Sequence, residues 1–358
     1  MSSVIGENIK VSLFGESHGP LVGAIINGLE AGIKIDLDFI NHQMKLRQAN
    51  DELSSSRQEE DKVIFVSGVF NGYTTGAPLT LIIENKNVRS EDYPKMFRPG
   101  HADLSAEYKY RGYQDYRGGG HFSGRLSAPL VALGAIAIQV LHNKGIVIGS
   151  HIKSIHNIYD EEIDFTKLAE YFLRVNNLTF PVLNSESKEK MIEEIKNAKE
   201  RKDSVGGVIE TVVNLPSSIG EPFFDSLESK LSHYVFSVPG VKGIEFGLGF
   251  DFAKYYGSEV NDQIVKDEEV HTITNNNGGI NGGISNGMPL VFRTVLKPTS
   301  SIGVTQRSVD EHFENVELNI KGRHDPCIVR RARVVIDSLV ALAILDLVTI
   351  NEGKKWMI

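Results

Sequence analysis

Three consecutive glycines, Gly118, Gly119 and Gly120, stand between a tyrosine-rich polar stretch and a long apolar run, and this junction constrains the chain more than any other feature. Residues 98–141 read RPGHADLSAEYKYRGYQDYRGGGHFSGRLSAPLVALGAIAIQVL. A glycine triplet packs no core and loses much backbone entropy on folding, so a chain keeps one where its backbone must approach something closely. Glycine-rich backbone feeding a helix start also offers free N–H groups and a positive dipole end, a common cradle for anions. The stretch reads as the floor of a site for an anionic ligand.

The surrounding composition narrows the partner. With 358 residues and a net charge of −8, the protein lacks the basic surface that nucleic acid demands, so an anion site must be a local basic pocket. A single cysteine, Cys327, excludes a disulfide framework or a cysteine-based zinc site and fits a reducing cytoplasm. The first residues lack a signal-peptide pattern. The most apolar runs, 129–141 and 334–348, fall short of the roughly 20 residues of a spanning helix, and the second holds Asp337 and Asp346. Both read as buried helices, with no membrane partner.

Along the chain, strands are expected over 8–14, 21–26, 63–69, 79–84, 146–154, 206–214 and 290–297, with a strand pair in PGVKGIEFGLGF. Helices are expected over 36–47, capped by Asp36 or Asp38, over two segments of 164–202 broken near Pro181, over 223–236, and at the end over about 329–348. Residues 48–61, 85–99 and 254–275 read as polar loops, the first a candidate lid. No repeat and no clean linker appears, so the expectation is one interlaced α/β unit over 1–358.

Two histidines lie in polar, glycine-flanked turns, His18 in GESHGP and His101 in RPGHAD. Each could act as a proton donor near neutral pH or simply tie down its turn. The other histidines lack metal-ligand spacing, no HExxH occurs, and neither GxGxxG after a strand nor a P-loop is present, so no metal site is expected. Arg47, Arg57, Arg98, Arg117, Arg125 and Arg323 sit in or beside glycine- or serine-rich turns, where guanidinium groups suit carboxylates and phosphates. Arg125 and Arg323 each precede an apolar helix. Ser127 with Pro129, and Asp325 with Pro326, read as caps and first positions of those helices. KPTSSIG (residues 297–303) offers a cation and hydroxyls in a tight turn that suits a phosphate.

In order along the chain, GESHGP, RPGHAD followed by DYRGGG, VKGIEFG, GGINGGISNG, KPTSSI and GRHDPC resemble the chorismate synthase family from Gly15 to the last helix. The resemblance implies a β–α–β sandwich of its own type, usually assembled as a homotetramer. It implies a carbon–oxygen lyase that converts 5-enolpyruvylshikimate 3-phosphate to chorismate by 1,4-elimination of phosphate. Reduced FMN is the implied cofactor, with no net redox change, and NADPH a possible reductant. By the same resemblance His18 protonates the departing phosphate, His101 protonates the reduced flavin, and Asp325 near flavin N5 relays the substrate proton with Ser17 and Ser123. Flavin contacts are implied for His121, Phe122, Ser123, Pro239, Gly240, Gly282, Lys297, Pro298, Thr299, Ser300, Ser301 and Arg323. Arg47, Arg57 and Arg125 are implied for substrate anions, Arg47 alternatively for pyridine nucleotide.

This chain departs from the family pattern at several places. His121-Phe122 replaces the usual Arg-Ser, and Leu126 replaces glutamate after Arg125. The arginine run around Arg47 thins to LRQANDELSSSR, without an arginine near position 53, and Pro239-Gly240 precedes VKG. Backbone rather than side-chain contacts are expected at 121–122 and 239–240. Two other readings stay open: an NADPH-dependent flavin oxidoreductase, and a non-catalytic binder of phosphorylated metabolites.

Overall fold

The structure is a computed structural model and describes residues 3–48, 53, 61–86, 96–320 and 325–355. Two five-stranded antiparallel sheets enclose a layer of helices. The first sheet is built from β1 (Val4–Ile5), β2 (Lys10–Gly15), β3 (Leu21–Asn27), β4 (Ile64–Ser67) and β5 (Leu79–Glu84), in the order β1-β2-β3-β5-β4. The second contains β6 (Val147–Ile155), β7 (Ile158–Tyr159), β8 (Gly207–Asn214), β9 (Val241–Phe246) and β10 (Leu290–Leu296), in the order β9-β10-β8-β6-β7. The helices are α1 (Leu37–Gln48), α2 (Asp103–Tyr110), α3 (Ser127–His142), α4 (Leu168–Val175), α5 (Ser185–Glu200), α6 (Leu227–Val235) and α7 (Val329–Lys355).

Period-two alternation sets the inner face of the first sheet. Val22, Ala24 and Ile26 pair with Ile83, Leu81 and Leu79, and all six are buried. A one-residue slip would turn this whole set outward, which pins the register. α3 packs on this sheet and α7 on the second, while α1 lies against both helices. One apolar core runs continuously from Ile9 through both helices to Leu347.

α4 covers the middle of the second sheet on the side away from α7, packing Tyr171, Phe172 and Val175 with Val212 and Val291. His151 lies there, fully buried beside Tyr171, and burial holds its imidazole neutral with a pKa of about 3. On the other face Ser150 donates to Asp337, which also pairs with Arg333 at 2.9 Å. Asp346 accepts the backbone N–H groups of Glu7, Asn8 and Ile9 at 2.8–2.9 Å. These partners explain how α7 carries two buried carboxylates.

Several expectations need correcting. α7 is 27 residues long rather than about 20, and by length and composition it and residues 124–142 could each cross a bilayer. Both lie mainly inside the protein, between the sheets. PGVKGIEFGLGF forms one strand, β9, followed by a 3-10 turn over Gly249–Lys254, not a strand pair. The 254–275 stretch is not a loop throughout, since Ile264–Lys266 and Val270–Thr272 pair as a ribbon. Asp36 does cap α1, accepting from the Phe39 N–H at 3.0 Å. Ser127 and Asp325 do not cap their helices. A 3-10 turn over Gly124–Leu126 precedes α3, with Ser123 as its cap, and α7 starts at Val329.

Gly134 is where α3 and α7 come closest, for a β-carbon there would overlap Ser338. Gly134→Ala is expected to lower unfolding free energy by about 1–3 kcal/mol, the usual effect of overpacking. A urea midpoint equal to the parent's would show that the helix pair separates freely.

Candidate active site

The glycine triplet runs through positive φ at all three positions, 58°, 87° and 53°, which only glycine adopts readily in succession. This turn brings the backbone against two imidazoles. A β-carbon on Gly118 would lie 2.6 Å from His18 Nε2 and 2.9 Å from Ser17 Oγ. One on Gly119 would lie 3.3 Å from His101 Cε1 and 3.5 Å from its Nε2. The triplet is therefore a floor that two histidines reach from separate parts of the sequence.

His18 stands on a turn in which the Gly19 N–H donates to Glu16 O at 3.1 Å. Ser17 ties this turn to the floor: its N–H donates to Gly120 O at 3.1 Å and its hydroxyl faces Arg117 O at 3.1 Å. His101 is fixed by Asp103, whose Oδ1 lies 2.6 Å from His101 Nδ1. A carboxylate only accepts, so Nδ1 carries the hydrogen and Nε2 is left on the Gly119 side. Arg98 grips the same carboxylate through Nε at 2.7 Å and Nη2 at 2.9 Å. Burial alone would push Asp103 up, but the hydrogen bonds and charges of His101 and Arg98 hold it well below the usual carboxylate range.

The Lys297–Ser301 turn joins this centre to Asp325. Lys297 Nζ and Ser300 Oγ both donate to Gly100 O, the latter at 2.8 Å, and Ser301 Oγ accepts from Arg98 at 3.1 Å. From the same turn Thr299 Oγ1 donates to Asp325 O at 2.8 Å. The Lys297 N–H donates to Gly240 O at 2.9 Å, which brings Pro239-Gly240 alongside. Asp325 accepts from Arg331 at 2.7 Å through Oδ2, while its buried Oδ1 has no hydrogen-bond partner among the described residues. Burial pushes its pKa up against the opposing pull of Arg331.

Arg47 and Arg125 meet on Asp61. Arg47 Nη1 is 3.0 Å from Asp61 Oδ2, and Arg125 Nη1 contacts Oδ1, with all three side chains buried. Arg47 also donates to Ser127 Oγ and Gly124 O, both at 3.0 Å. Arg331 Nε donates to Arg47 O at 3.1 Å, so this knot is continuous with the Asp325 side.

The remaining expected residues fall in three groups. His121 and Phe122 stack on each other at 4.2 Å, with Tyr110 edge-on to His121. Gly282 tops a hairpin whose next residue, Gly283, accepts from the start of α6 and crowds Glu221, the partner of Lys354. That is the far end of α7 from Asp325, and the structure does not bring Gly282 to the others. Arg57 and Arg323 lie outside the described residues, as does most of the 48–61 loop. A separate cavity of about 570 Å³, lined by His42, His142, Arg333 and Asp337 among others, holds none of the expected residues.

Asp61, Asp103, Arg331 and Asn85 were not singled out from the sequence as site residues. Asp103 had a usable signal, two positions after His101 in RPGHAD. Asp61 and Asn85 border polar loops and had none.

Residues 9–349 match the family model described as Chorismate synthase. The chorismate synthase of Pyrococcus abyssi is 44% identical over 95% of this chain and 96% of its own length. That of Chitinophaga pinensis is 43% identical over 98% and 97%. A crystal structure of chorismate synthase superposes with a TM-score of 0.77 at 27% identity, over 98% of this chain and 94% of the other. The fold of two sheets about a helical layer is thus shared with a solved chorismate synthase, and with sequence similarity along nearly its whole length the chain belongs to the chorismate synthase family of lyases in aromatic amino acid biosynthesis.

Proposed function

We propose that the protein eliminates phosphate from 5-enolpyruvylshikimate 3-phosphate to give chorismate, with reduced FMN bound over the glycine floor. The observation that carries this reading is the approach of His18 and His101 to adjacent glycines, Gly118 and Gly119. The residues present suit a flavin and a phosphorylated substrate: side-chain-free backbone, hydroxyls and a cation in the Lys297–Ser301 turn, and a buried carboxylate oxygen at Asp325 that has no hydrogen-bond partner among the described residues.

Pro298 and Thr299 complete the turn that would hold the flavin, with Ser123 at the mouth of α3. When bound, reduced flavin supplies electron density to the allylic system as the carbon–oxygen bond breaks, chemistry that side chains lack. His18 donates a proton to the departing phosphate, which lowers the barrier to its loss. His101, its Nδ1–H held by Asp103, presents Nε2 towards the floor, where it can take up a proton and pass it to a bound group. Asp325 receives the ring proton, and its raised pKa makes it a stronger base than an exposed aspartate. Arg47 and Arg125, gathered around Asp61, offer guanidinium groups to a substrate that carries two carboxylates and a phosphate. NADPH as reductant, a homotetramer and a cytoplasmic location are carried into this reading by the family resemblance.

The test is an anaerobic assay with chemically reduced FMN, following phosphate release from the substrate. Phosphate release in step with chorismate formation is expected, without consumption of the flavin's electrons. Steady NADPH turnover without phosphate release would overturn the reading in favour of an oxidoreductase.

A further inference from the structure

Asn85 follows β5 directly, and its side chain bonds through both its amide nitrogen and its amide oxygen. Nδ2 donates to Glu16 O at 3.0 Å and to Gly19 O at 2.8 Å. Those carbonyls belong to the first and last residues of the turn that carries Ser17 and His18. Oδ1 accepts from Arg125 Nε at 2.8 Å. The partners fix the amide orientation, since carbonyls take only donors and a guanidinium offers only donors. Arg125 in turn reaches Glu84 O at 3.1 Å and the buried Asp61. The Asn85 N–H donates to Pro20 O at 3.0 Å, so main chain and side chain both hold the strand end against the turn.

We propose that Asn85 is a positioning residue for His18, transmitting the rigidity of the Arg125–Asp61 pair to the turn that aims the imidazole at Gly118. The proposal rests on the reading of His18 as the proton donor. Its physical content is geometric. Proton transfer needs hydrogen-bond reach in the reacting complex, and a misplacement of about 1 Å is enough to lose about 100-fold in rate. The floor holds the turn from one side through Ser17, and Asn85 clamps both its ends from the other. An aspartate at 85 has the same shape but would set a carboxylate against two carbonyl oxygens.

The experiment is a double-mutant cycle on the full-length enzyme with chemically reduced FMN, reading kcat and KM for phosphate release. The variants are Asn85→Ala, Asn85→Asp, His18→Ala and the two doubles. Asn85→Ala is expected to lower kcat by about 10- to 100-fold with KM changed less than about threefold. In the His18→Ala background the same substitution should change kcat by less than about twofold, because residues acting as a unit are non-additive. Should Asn85→Ala fail to fold, the isosteric Asn85→Asp carries the same comparison. An equal loss in both backgrounds, or a parental kcat in the Asn85 variants, overturns the positioning role while leaving His18 intact. A parental rate for His18→Ala alone would instead overturn the His18 reading, and the positioning role with it.

Discussion

His18→Ala is expected to slow phosphate release by about 10²- to 10⁴-fold, the usual contribution of a placed general acid. The imidazole is nearly buried, and its Nε2 lies against the Gly118 backbone, where a substituent on the floor would be met at 2.6 Å. The other group nearest that glycine, the Ser17 hydroxyl, is turned to backbone carbonyls. His101→Ala should give a comparable loss, since its ring lies nearest the Gly119 position, with Cε1 at 3.3 Å and Nε2 at 3.5 Å. Asp103→Asn should reproduce part of that loss without removing the ring, because the amide no longer enforces the Nδ1–H tautomer. Single-turnover phosphate release, with thermal melting as the check on folding, separates these cases. A histidine whose alanine variant turns over at the parental rate has no place in the mechanism.

How much of this was legible in the sequence depends on where each residue's partner lies. The inner faces of the first sheet follow from alternation within Leu21–Asn27 and Leu79–Glu84, and the Asp36 cap from its own helix start. Local patterns carry that information. Ser127 and Asp325 matched a capping pattern equally well, yet their side chains serve Arg47 and Arg331 instead. A capping signature reports a short polar side chain before an apolar run, and a distant guanidinium can claim the same oxygen. α7 runs past its expected end because its last turns are polar and Gly353 lies inside the helix rather than after it. The ribbon at Ile264–Lys266 and Val270–Thr272 is largely exposed and so lacks the buried alternation that marks a strand.

Candidate chemistry was legible for His18 and His101, whose glycine-bounded turns are unusual, but not their convergence on one glycine triplet. The contacts that join them span roughly a hundred residues of sequence, as in the Ser17 bond to Arg117 O. Asn85 and Asp61 were invisible for the same reason. Each is an ordinary polar residue at the edge of a loop until Arg125 is brought to it.

Asp61→Ala is expected to destabilise the protein by about 3–5 kcal/mol, the range for removing one partner of a buried ion pair. The carboxylate is almost fully enclosed and faces a guanidinium on each oxygen. Removing it leaves Arg47 and Arg125 buried side by side with like charge, and neither can reach bulk water without displacing the 3-10 turn before α3 or the end of β5. Asp61→Asn keeps the shape and one acceptor but loses the charge, so a smaller loss is expected. Activity should fall further than stability alone explains in both variants, because Arg125 also holds Asn85 and, through it, the His18 turn. Urea unfolding of the two variants beside the parent checks the first part. Added Arg47→Met in the Asp61→Ala background should recover part of the stability, since it removes one of the two opposed charges, but none of the activity. A urea midpoint for Asp61→Ala equal to the parent's would mean that the two guanidiniums are neutralised elsewhere, and that the pairing across Asp61 does not organise this side of the site.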